Sequence, residues 1–463
     1  MSGFTGLQVL VIGLGASGLA AARVLVEEGA RVRISERRSA AELEQDERRD
    51  ELRALDAEVL TGGHDEAHLD GAALVVTSPG VPEEAPILQA AHRRGIPVWS
   101  ELELGARLCT VPYVAVTGTN GKSTTTEMVA SCMRADGLDA MACGNIGHPF
   151  SLAAREGHQA LAVEASSFQL RFHHTFHPKV SVLLNVAPDH LDWHGSLERY
   201  RAAKARVFER QGSGDTHVGN RDDAAGAKVS QGAPCALVWF RFGAPGAEEV
   251  GFEDGVLVSR IHGKREELGR PTEGGAGFRA DAAAAAAASI AFGVSAPSAR
   301  EGIAGVRPLE HRGQVVAIAR SVRFVDDSKA TNPHAALAAL EGLEDVVLIA
   351  GGLSKGVDLS PLASATPALA GVIAMGEAGP QIAALFEGAV PVRRVSSIEQ
   401  AVEAAAALVP PGGTVLLAPA CASQDMFRDY RERGDRFAEA ARRIADGRTR
   451  ASVTRGPNGG SRG

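Results

Sequence analysis

The chain has 463 residues, more than one ordinary core accommodates, so two or three domains are expected. Its 48 Lys and Arg against 56 Asp and Glu leave no polybasic footprint for nucleic acid or an anionic membrane, and no apolar run reaches the roughly 18 residues of a membrane span. Five scattered cysteines, an odd number without CxxC or another metal-ligand spacing, argue against a disulfide framework and point to a reducing cytoplasm.

In chain order, three regions each begin a strand-then-helix rhythm. The sequence predicts an α/β chain of three domains: N-terminal Rossmann-like, central P-loop ATPase-like and C-terminal Rossmann-like. The N-terminus MSGFTGLQVLVIGLG enters a strand directly, without the basic flank and cleavage site of a signal peptide. In the first region, 1–109, QVLVIGLG reads as strand and turn, SGLAAARVLVEEG as a helix ending at Gly29, ARVRISE and ALVVTSPG as further strands.

The second region, 110–306, opens with YVAVTG and the helical STTTEMVASCMRADG, and continues with the strands ALAVEAS and KVSVLLNV. From Gly212 to Gly277 the pattern is irregular and glycine-rich, which predicts hairpins and loops rather than further clean βα units. The run Ala282–Ala288 is low in complexity, yet alanine's helix propensity predicts a packed helix. The third region, 307–447, shows VVLIAGG, GVIAMG, PVRRVSS and TVLLAPA separated by helical stretches, a parallel-sheet signature. The tail 448–463 lacks apolar periodicity and is expected to be disordered.

The motifs follow the strands. Gly13, Gly15 and Gly18 form GxGxxG after the first strand, with Glu36 closing the next. Alone this reads as a dinucleotide site and admits an NAD-dependent oxidoreductase, although the diphosphate of a nucleotide sugar satisfies the same geometry. The bland alternative is that the glycines serve only the turn and helix packing. A second glycine turn, Ser78 to Gly80, follows another strand.

The loop GTNGKST, Gly118 to Thr124, lies between a strand and a helix. Such a loop turns backbone N–H groups toward phosphates, Lys122 adds positive charge at the β and γ phosphates, and Ser123 can ligate Mg²⁺. The spacing is not that of GxxxxGK, since the first glycine would fall at Val116. A driven reaction through an acyl phosphate is the expected chemistry.

Glu164 ends an apolar run, where a bare carboxylate is expensive unless a cation or hydrogen bonds compensate it. Asp189 and His190 follow another strand, at the usual ligand-binding edge of a parallel sheet. Lys204 lies in ERYRAAKARVFE, which by charge pattern alone reads as a solvated face. In the third region DDSKATN (Asp326 to Asn332), GGLSK (Gly351 to Lys355) and APACASQDMF (Ala418 to Phe427) each follow a strand, so all three are expected on one sheet edge.

Together these segments resemble the Mur ligases of peptidoglycan synthesis over nearly the whole chain to about residue 445. GTNGKST is shared with the wider superfamily, including folylpolyglutamate synthases. DDSKATN, PACAS and the DHLDWHG to RAAK spacing are similar to the D-glutamate-adding branch.

The resemblance implies that ATP, UDP-N-acetylmuramoyl-L-alanine and D-glutamate are the substrates. It implies that Gly118, Thr119, Asn120, Gly121, Lys122, Ser123 and Thr124 hold ATP, with Asp281, Arg312 and Asp327 as further nucleotide contacts. Lys122, Glu164, His190 and Lys204 become the catalytic set. Two Mg²⁺ ions are implied at Ser123, Glu164, His190 and Lys204, the last as a carbamate formed with CO₂. Ala16, Ser17, Glu36, Arg37, Ser78, Gly80 and Asn145 match the UDP-substrate site, and Lys329, Thr331, Lys355, Ser423 and Tyr430 the D-glutamate site. A cytoplasmic monomer is expected, with neither nucleic acid nor membrane as partner. The chain departs from the family at Gly277 and Phe278, at Asp281 where asparagine is usual, in HRGQVV, and at Tyr430 where phenylalanine is frequent.

Overall fold

A computed structural model describes residues 3–271, 275–307 and 310–447; the tail expected to be disordered lies outside the described residues. The chain divides into two compact units, 1–308 and 309–463, and each is taken by itself.

The first unit holds two sheets. Strands β1 (Gln8–Ile12), β2 (Arg31–Ser35), β3 (Ala57–Leu60), β4 (Leu74–Thr77) and β5 (Val98–Ser100) form an all-parallel sheet in the order β3-β2-β1-β4-β5. The apolar run QVLVI supplies the central strand because its neighbours cover both faces. Strand order reverses between β1 and β4, so the carboxyl ends of these two strands open the crevice where ligands bind in such sheets. The first glycine turn and Ser78 both sit there.

Nine strands follow: β6 (Tyr113–Thr117), β7 (Ala140–Gly144), β8 (Ala160–Glu164), β9 (Val180–Leu183), β10 (Thr216–Asn220), β11 (Ala236–Phe240), β12 (Glu249–Glu253), β13 (Val256–Ser259) and β14 (Glu266–Gly269). Their order is β14-β13-β12-β11-β10-β9-β6-β8-β7, parallel from β7 to β12 and antiparallel beyond. The glycine-rich stretch after Gly212 therefore corrects the expectation of hairpins alone. β10, the helix Ala224–Ser230 and β11 make a clean parallel unit, and the hairpins begin only at β12. The helix hides in the sequence because it is only two turns long and starts on an Asp223 cap.

The alanine run lies in the helix Ala276–Phe292, with Ala282 to Ala288 all 0% exposed. Small side chains let this helix share one core with Met128, Val129 and Cys132 of the helix Lys122–Ala135. The phosphate-loop helix is thus clamped from behind.

The second unit contains β15 (Gln314–Ala319), β16 (Val322–Asp326), β17 (Val346–Gly351), β18 (Leu369–Met375), β19 (Val392–Arg394) and β20 (Thr414–Leu417), in the order β15-β16-β20-β17-β18-β19. Only β15 runs antiparallel; the other five are parallel. Because β20 is inserted between β16 and β17, the three loops DDSKATN, APACAS and GGLSK leave adjacent strands at one edge, as their position after strands implied.

Candidate functional site

Around the first glycine turn, two glycines are explained by the fold. Gly13 adopts φ +84°, which side chains rarely take, and a Cβ on Gly18 would lie 1.9 Å from the Gly13 carbonyl oxygen. Gly15 meets neither demand: its φ is −68° and a Cβ there would touch nothing within 4 Å. It begins the helix Ala16–Glu27, which has no side-chain cap and no acidic residue in its first turn. The amides at Ala16 and Ser17 are therefore open to an anion.

Glu36 is buried and accepts from the Leu14 N–H at 2.7 Å and from the Arg38 N–H and Nε at 2.9 and 3.1 Å. Burial raises its carboxyl, but the bonds from Arg38 and Leu14 outweigh this and hold it below the usual glutamate range. Ser78 Oγ donates to the Gly13 carbonyl at 3.0 Å. Arg37 and Gly80 are exposed at the rim. The sequence reading missed Arg38, whose only signal was its place two residues after the acidic strand end.

The phosphate loop is built from three neighbouring strand ends. β6 lies between β8 and β9, so Gly118 to Thr124, Glu164 and the segment after Leu183 share one edge. Gly121, at φ +86°, caps the helix Lys122–Ala135 with no side-chain acceptor, leaving its first amides turned to the loop. Asn185 Oδ1 accepts from the N–H groups of Thr119 and Asn120 at 3.1 and 2.8 Å, and its Nδ2 donates back to the Asn120 carbonyl at 3.2 Å. Thr119 Oγ1 accepts from the Ala187 N–H at 3.0 Å and lies 3.1 Å from the Tyr200 hydroxyl. Asn185 and Tyr200 were both missed; their signals were a polar residue ending an apolar strand and a tyrosine one helical turn before Lys204.

Lys122 Nζ donates to the Gly118 and Thr119 carbonyls at 3.0 and 2.9 Å. Ser123 Oγ donates to Glu164 Oε2 at 2.7 Å, and Asn145 Nδ2 to Glu164 Oε1 at 2.8 Å. The structure thus brings Ser123, Glu164 and Asn145 together and satisfies the buried carboxylate by hydrogen bonds. Thr124 is buried in the first turn of the same helix. A Cβ on Gly121 would lie 2.1 Å from Asp281 Oδ1, so the Asp281 carboxyl rests against the phosphate loop itself.

Lys204 overturns the solvated-face reading. It is 2% exposed, its Nζ donates to the Gly118 carbonyl at 2.6 Å, and it lies 4.5 Å from the centre of the Tyr200 ring. Burial, then the charge of Lys122, pulls its ammonium well below the usual lysine range, with Asp189 and Glu164 acting in the opposite sense. Charge pattern failed here because the helix Leu197–Ala205 turns its short Ala203–Lys204 edge inward beside Tyr200.

His190, at φ +52°, precedes the short helix Leu191–His194; its N–H donates to Asp189 Oδ1 at 2.9 Å and its ring packs edge-on against Phe168 at 4.8 Å. Among the described residues no three His, Cys, Asp or Glu side chains gather as a metal site. Mg²⁺ does not need such a cage, since it keeps several waters and binds through one or two carboxylates plus substrate phosphates. The paired oxygens of Ser123 and Glu164 beside a phosphate loop fit that habit.

In the second unit the three loops are zipped by backbone bonds. The Ala420 N–H donates to the Ala330 carbonyl at 2.9 Å, and Leu353 and Ala422 exchange bonds of 2.9 and 3.0 Å. Lys329, Thr331, Lys355 and Ser423 therefore come together on one edge. Lys329 Nζ sits 3.8 Å from the centre of the Tyr430 ring. Burial raises the Tyr430 phenol, but its hydrogen bond to Lys329 and that lysine's charge leave it below the usual tyrosine range. Asp327 is pushed up to about 7 by burial, against the nearby charge of Arg312. His311 Nδ1 lies 2.7 Å from Asp326 Oδ2, a buried pair that the sequence reading passed over.

Family models match the chain in three consecutive parts: "Mur ligase MurD-like, N-terminal domain" over 7–100, "Mur ligase middle domain" over 116–254 and "Mur ligase, glutamate ligase domain" over 311–421. A UDP-N-acetylmuramoylalanine–D-glutamate ligase of Frankia casuarinae is 45% identical, covering 95% of this chain and 94% of its own length. The enzyme of that name from Geobacter metallireducens is 40% identical over 96% and 99%. Among solved structures, the MurF ligase of Thermotoga maritima in complex with ADP superposes with a TM-score of 0.59 over 96% of this chain and 97% of its own, at 17% identity, a likeness of fold.

Proposed function

The chain belongs to the Mur ligase family, and from its D-glutamate-ligase relatives we infer that it is an ATP-dependent ligase joining D-glutamate to UDP-N-acetylmuramoyl-L-alanine in peptidoglycan precursor synthesis. Within the molecule, the observation that carries this reading is the convergence of Gly118, Ser123, Glu164 and Lys204 at one strand edge.

The alanyl carboxylate attacks the γ-phosphorus of ATP; a C–O–P bond forms and the bond to the bridging oxygen of ADP breaks. The D-glutamate amine then adds to the acyl carbon, and the tetrahedral intermediate collapses with loss of phosphate and of one amine proton. Phosphoryl transfer asks mainly for positioning and charge stabilisation. Lys122, released from the Gly118 and Thr119 carbonyls, serves the β and γ phosphates together with the amides of Gly121 to Thr124, while the Thr119 and Asn120 amides are held by Asn185. Mg²⁺, two ions being expected, would be held by Ser123 and Glu164 with His190 and a carbamylated Lys204, and when bound supplies neutralising charge at the phosphate oxygens.

Carbamylation is supported by the setting of Lys204. A buried ammonium beside Lys122 is costly, whereas a neutral amine adds CO₂, loses a proton and becomes an anion. Asp281, Arg312 and Asp327 complete the nucleotide contacts in this reading. Ala16, Ser17, Glu36, Arg37, Ser78, Gly80 and Asn145 receive the UDP substrate. Lys329, Thr331, Lys355, Ser423 and Tyr430 receive D-glutamate, where two lysines suit two carboxylates. A cytoplasmic monomer is proposed; among the described residues no helix is long and apolar enough to cross a membrane.

The test is phosphate release with ATP, Mg²⁺ and UDP-N-acetylmuramoyl-L-alanine, comparing D-glutamate, L-glutamate, meso-diaminopimelate and L-lysine. Release dependent on D-glutamate supports the assignment, and a preference for another amine overturns it. An absorbance change at the nicotinamide band without phosphate release would restore the oxidoreductase reading of the first glycine turn.

A further inference from the structure

Arg433 is 0% exposed and heads the fully buried side chains by volume. It lies in the first turn of the helix Tyr430–Ala445. Its Nε donates to Ser328 Oγ at 2.9 Å, its Nη2 to the Ser328 carbonyl at 2.7 Å and its Nη1 to the Cys421 carbonyl at 3.1 Å. None of these acceptors is a carboxylate, and among the described residues it forms no ion pair. The carboxylates of Asp425 and Asp326 act on it through charge without bonding it, and a buried guanidinium held by neutral acceptors is expensive, so its place calls for a reason beyond packing.

The acceptors supply one. Ser328 sits in DDSKATN, one residue before Lys329, and Cys421 sits in the loop after β20, two residues before Ser423. One planar fork therefore ties the β16 loop to the β20 loop. Ser328 Oγ also donates to the Tyr430 carbonyl at 2.7 Å, which fixes the start of the helix to the same point. The next residue makes the seating possible: a Cβ on Gly434 would lie 2.2 Å from His311 Nδ1 and 2.8 Å from Asp326 Oδ2. The helix can lie flush on the strand end only with glycine there.

We propose that Arg433 is the positioning residue of the amino-acid acceptor site, setting the spacing between Lys329 and Thr331 on one loop and Ser423 on the other. This rests on the assignment of D-glutamate to those residues. A dicarboxylate bridging two loops reads their separation directly, and displacement by about 1 Å can cost about 100-fold in rate.

The experiment compares Arg433→Lys, Arg433→Ala and Ser328→Ala with Lys329→Ala and Ser423→Ala, reading KM for D-glutamate and for ATP separately, with a thermal melt of each variant. Arg433→Lys is expected to raise KM for D-glutamate by at least ~10-fold while KM for ATP stays within about twofold. Guanidinium ion added at millimolar concentration should restore part of the D-glutamate affinity of Arg433→Ala. An unchanged D-glutamate KM in folded Arg433→Lys and Ser328→Ala, with Lys329→Ala and Ser423→Ala impaired, overturns the positioning role. Equal loss for both substrates without guanidinium rescue reduces Arg433 to a packing residue and also overturns it. If Lys329→Ala and Ser423→Ala leave the D-glutamate KM unmoved, the acceptor-site assignment fails, and the inference with it.

Discussion

The Lys204 ammonium donates a 2.6 Å hydrogen bond to the Gly118 carbonyl, 86 residues earlier in the chain. A buried lysine anchored on the phosphate loop is suited to a role beyond its own cation. Lys204→Ala is expected to lose at least ~100-fold in kcat, the scale of removing one transition-state stabiliser from an enclosed site. Lys204→Glu, which restores an anion at the same place, should keep a measurable part of that activity. Phosphate release under saturating substrates reads both, and full activity in Lys204→Ala would end the assigned role.

Asn185 holds the same loop from its other side. One amide side chain accepts from two backbone N–H groups and donates to one carbonyl. Asn185→Ala keeps the backbone carbonyl that also accepts from the Thr119 N–H at 3.0 Å but removes the side-chain oxygen that accepts from the Asn120 N–H, a cost of about 1–3 kcal/mol where such a group stays buried. The loop should loosen, with KM for ATP rising ~10-fold and KM for D-glutamate unchanged. Urea denaturation and ATP titration separate the stability effect from the binding effect.

A third expectation concerns pH and stability. His217 is fully buried between Ser181 Oγ at 2.7 Å and Ser230 Oγ at 2.9 Å, and burial lowers its imidazole to about 3. His173 and His194 are lowered to about 4, burial again being the first cause. Each is neutral in the fold and would protonate when unfolded below its ordinary value of about 6.5. Their contribution is complete above that pH and is lost as pH falls from about 6.5 toward 3 or 4, at up to ~1.4 kcal/mol per pH unit for each. Urea midpoints at pH 7.5 and 5.5 should fall for the parent protein and fall less steeply for His217→Asn. Equal slopes would remove His217 from the explanation.

What the sequence reveals and what it hides separate along physical lines. Strand runs such as QVLVI and TVLL, and the glycine turns after them, follow from local sterics and burial on both faces, so the parallel sheets and their loop-bearing edge are legible. The packed alanine helix is legible for the same reason. Lys204, Asn185 and Arg433 are not, because their burial and bonds are decided by segments far away in the chain. For Lys204 local charge pattern pointed the wrong way and only the family resemblance marked it. The βα unit after Gly212 escapes because a two-turn helix rich in Ala, Gly and Ser has almost no periodic signal.

The first glycine turn offers the sharpest separation of ligand binding from architecture. Gly18→Ala puts a Cβ 1.9 Å from a backbone oxygen, so the helix must shift and stability should fall by about 1–3 kcal/mol, as for overpacked cores. Gly15→Ala puts a Cβ into open space at an ordinary φ and should cost only about 0.5 kcal/mol through a poorer cap. If a diphosphate lies against the open amides of Ala16 and Ser17, that single methyl stands in its path. KM for UDP-N-acetylmuramoyl-L-alanine should then rise by at least ~10-fold, the scale of one misplaced methyl in a binding pocket, while KM for ATP and the melting temperature barely move. Thermal melts beside substrate titrations decide the matter. A Gly15→Ala enzyme with unaltered KM would mean that the turn serves only the packing of helix on strand, and the UDP site would have to be sought elsewhere in the first unit.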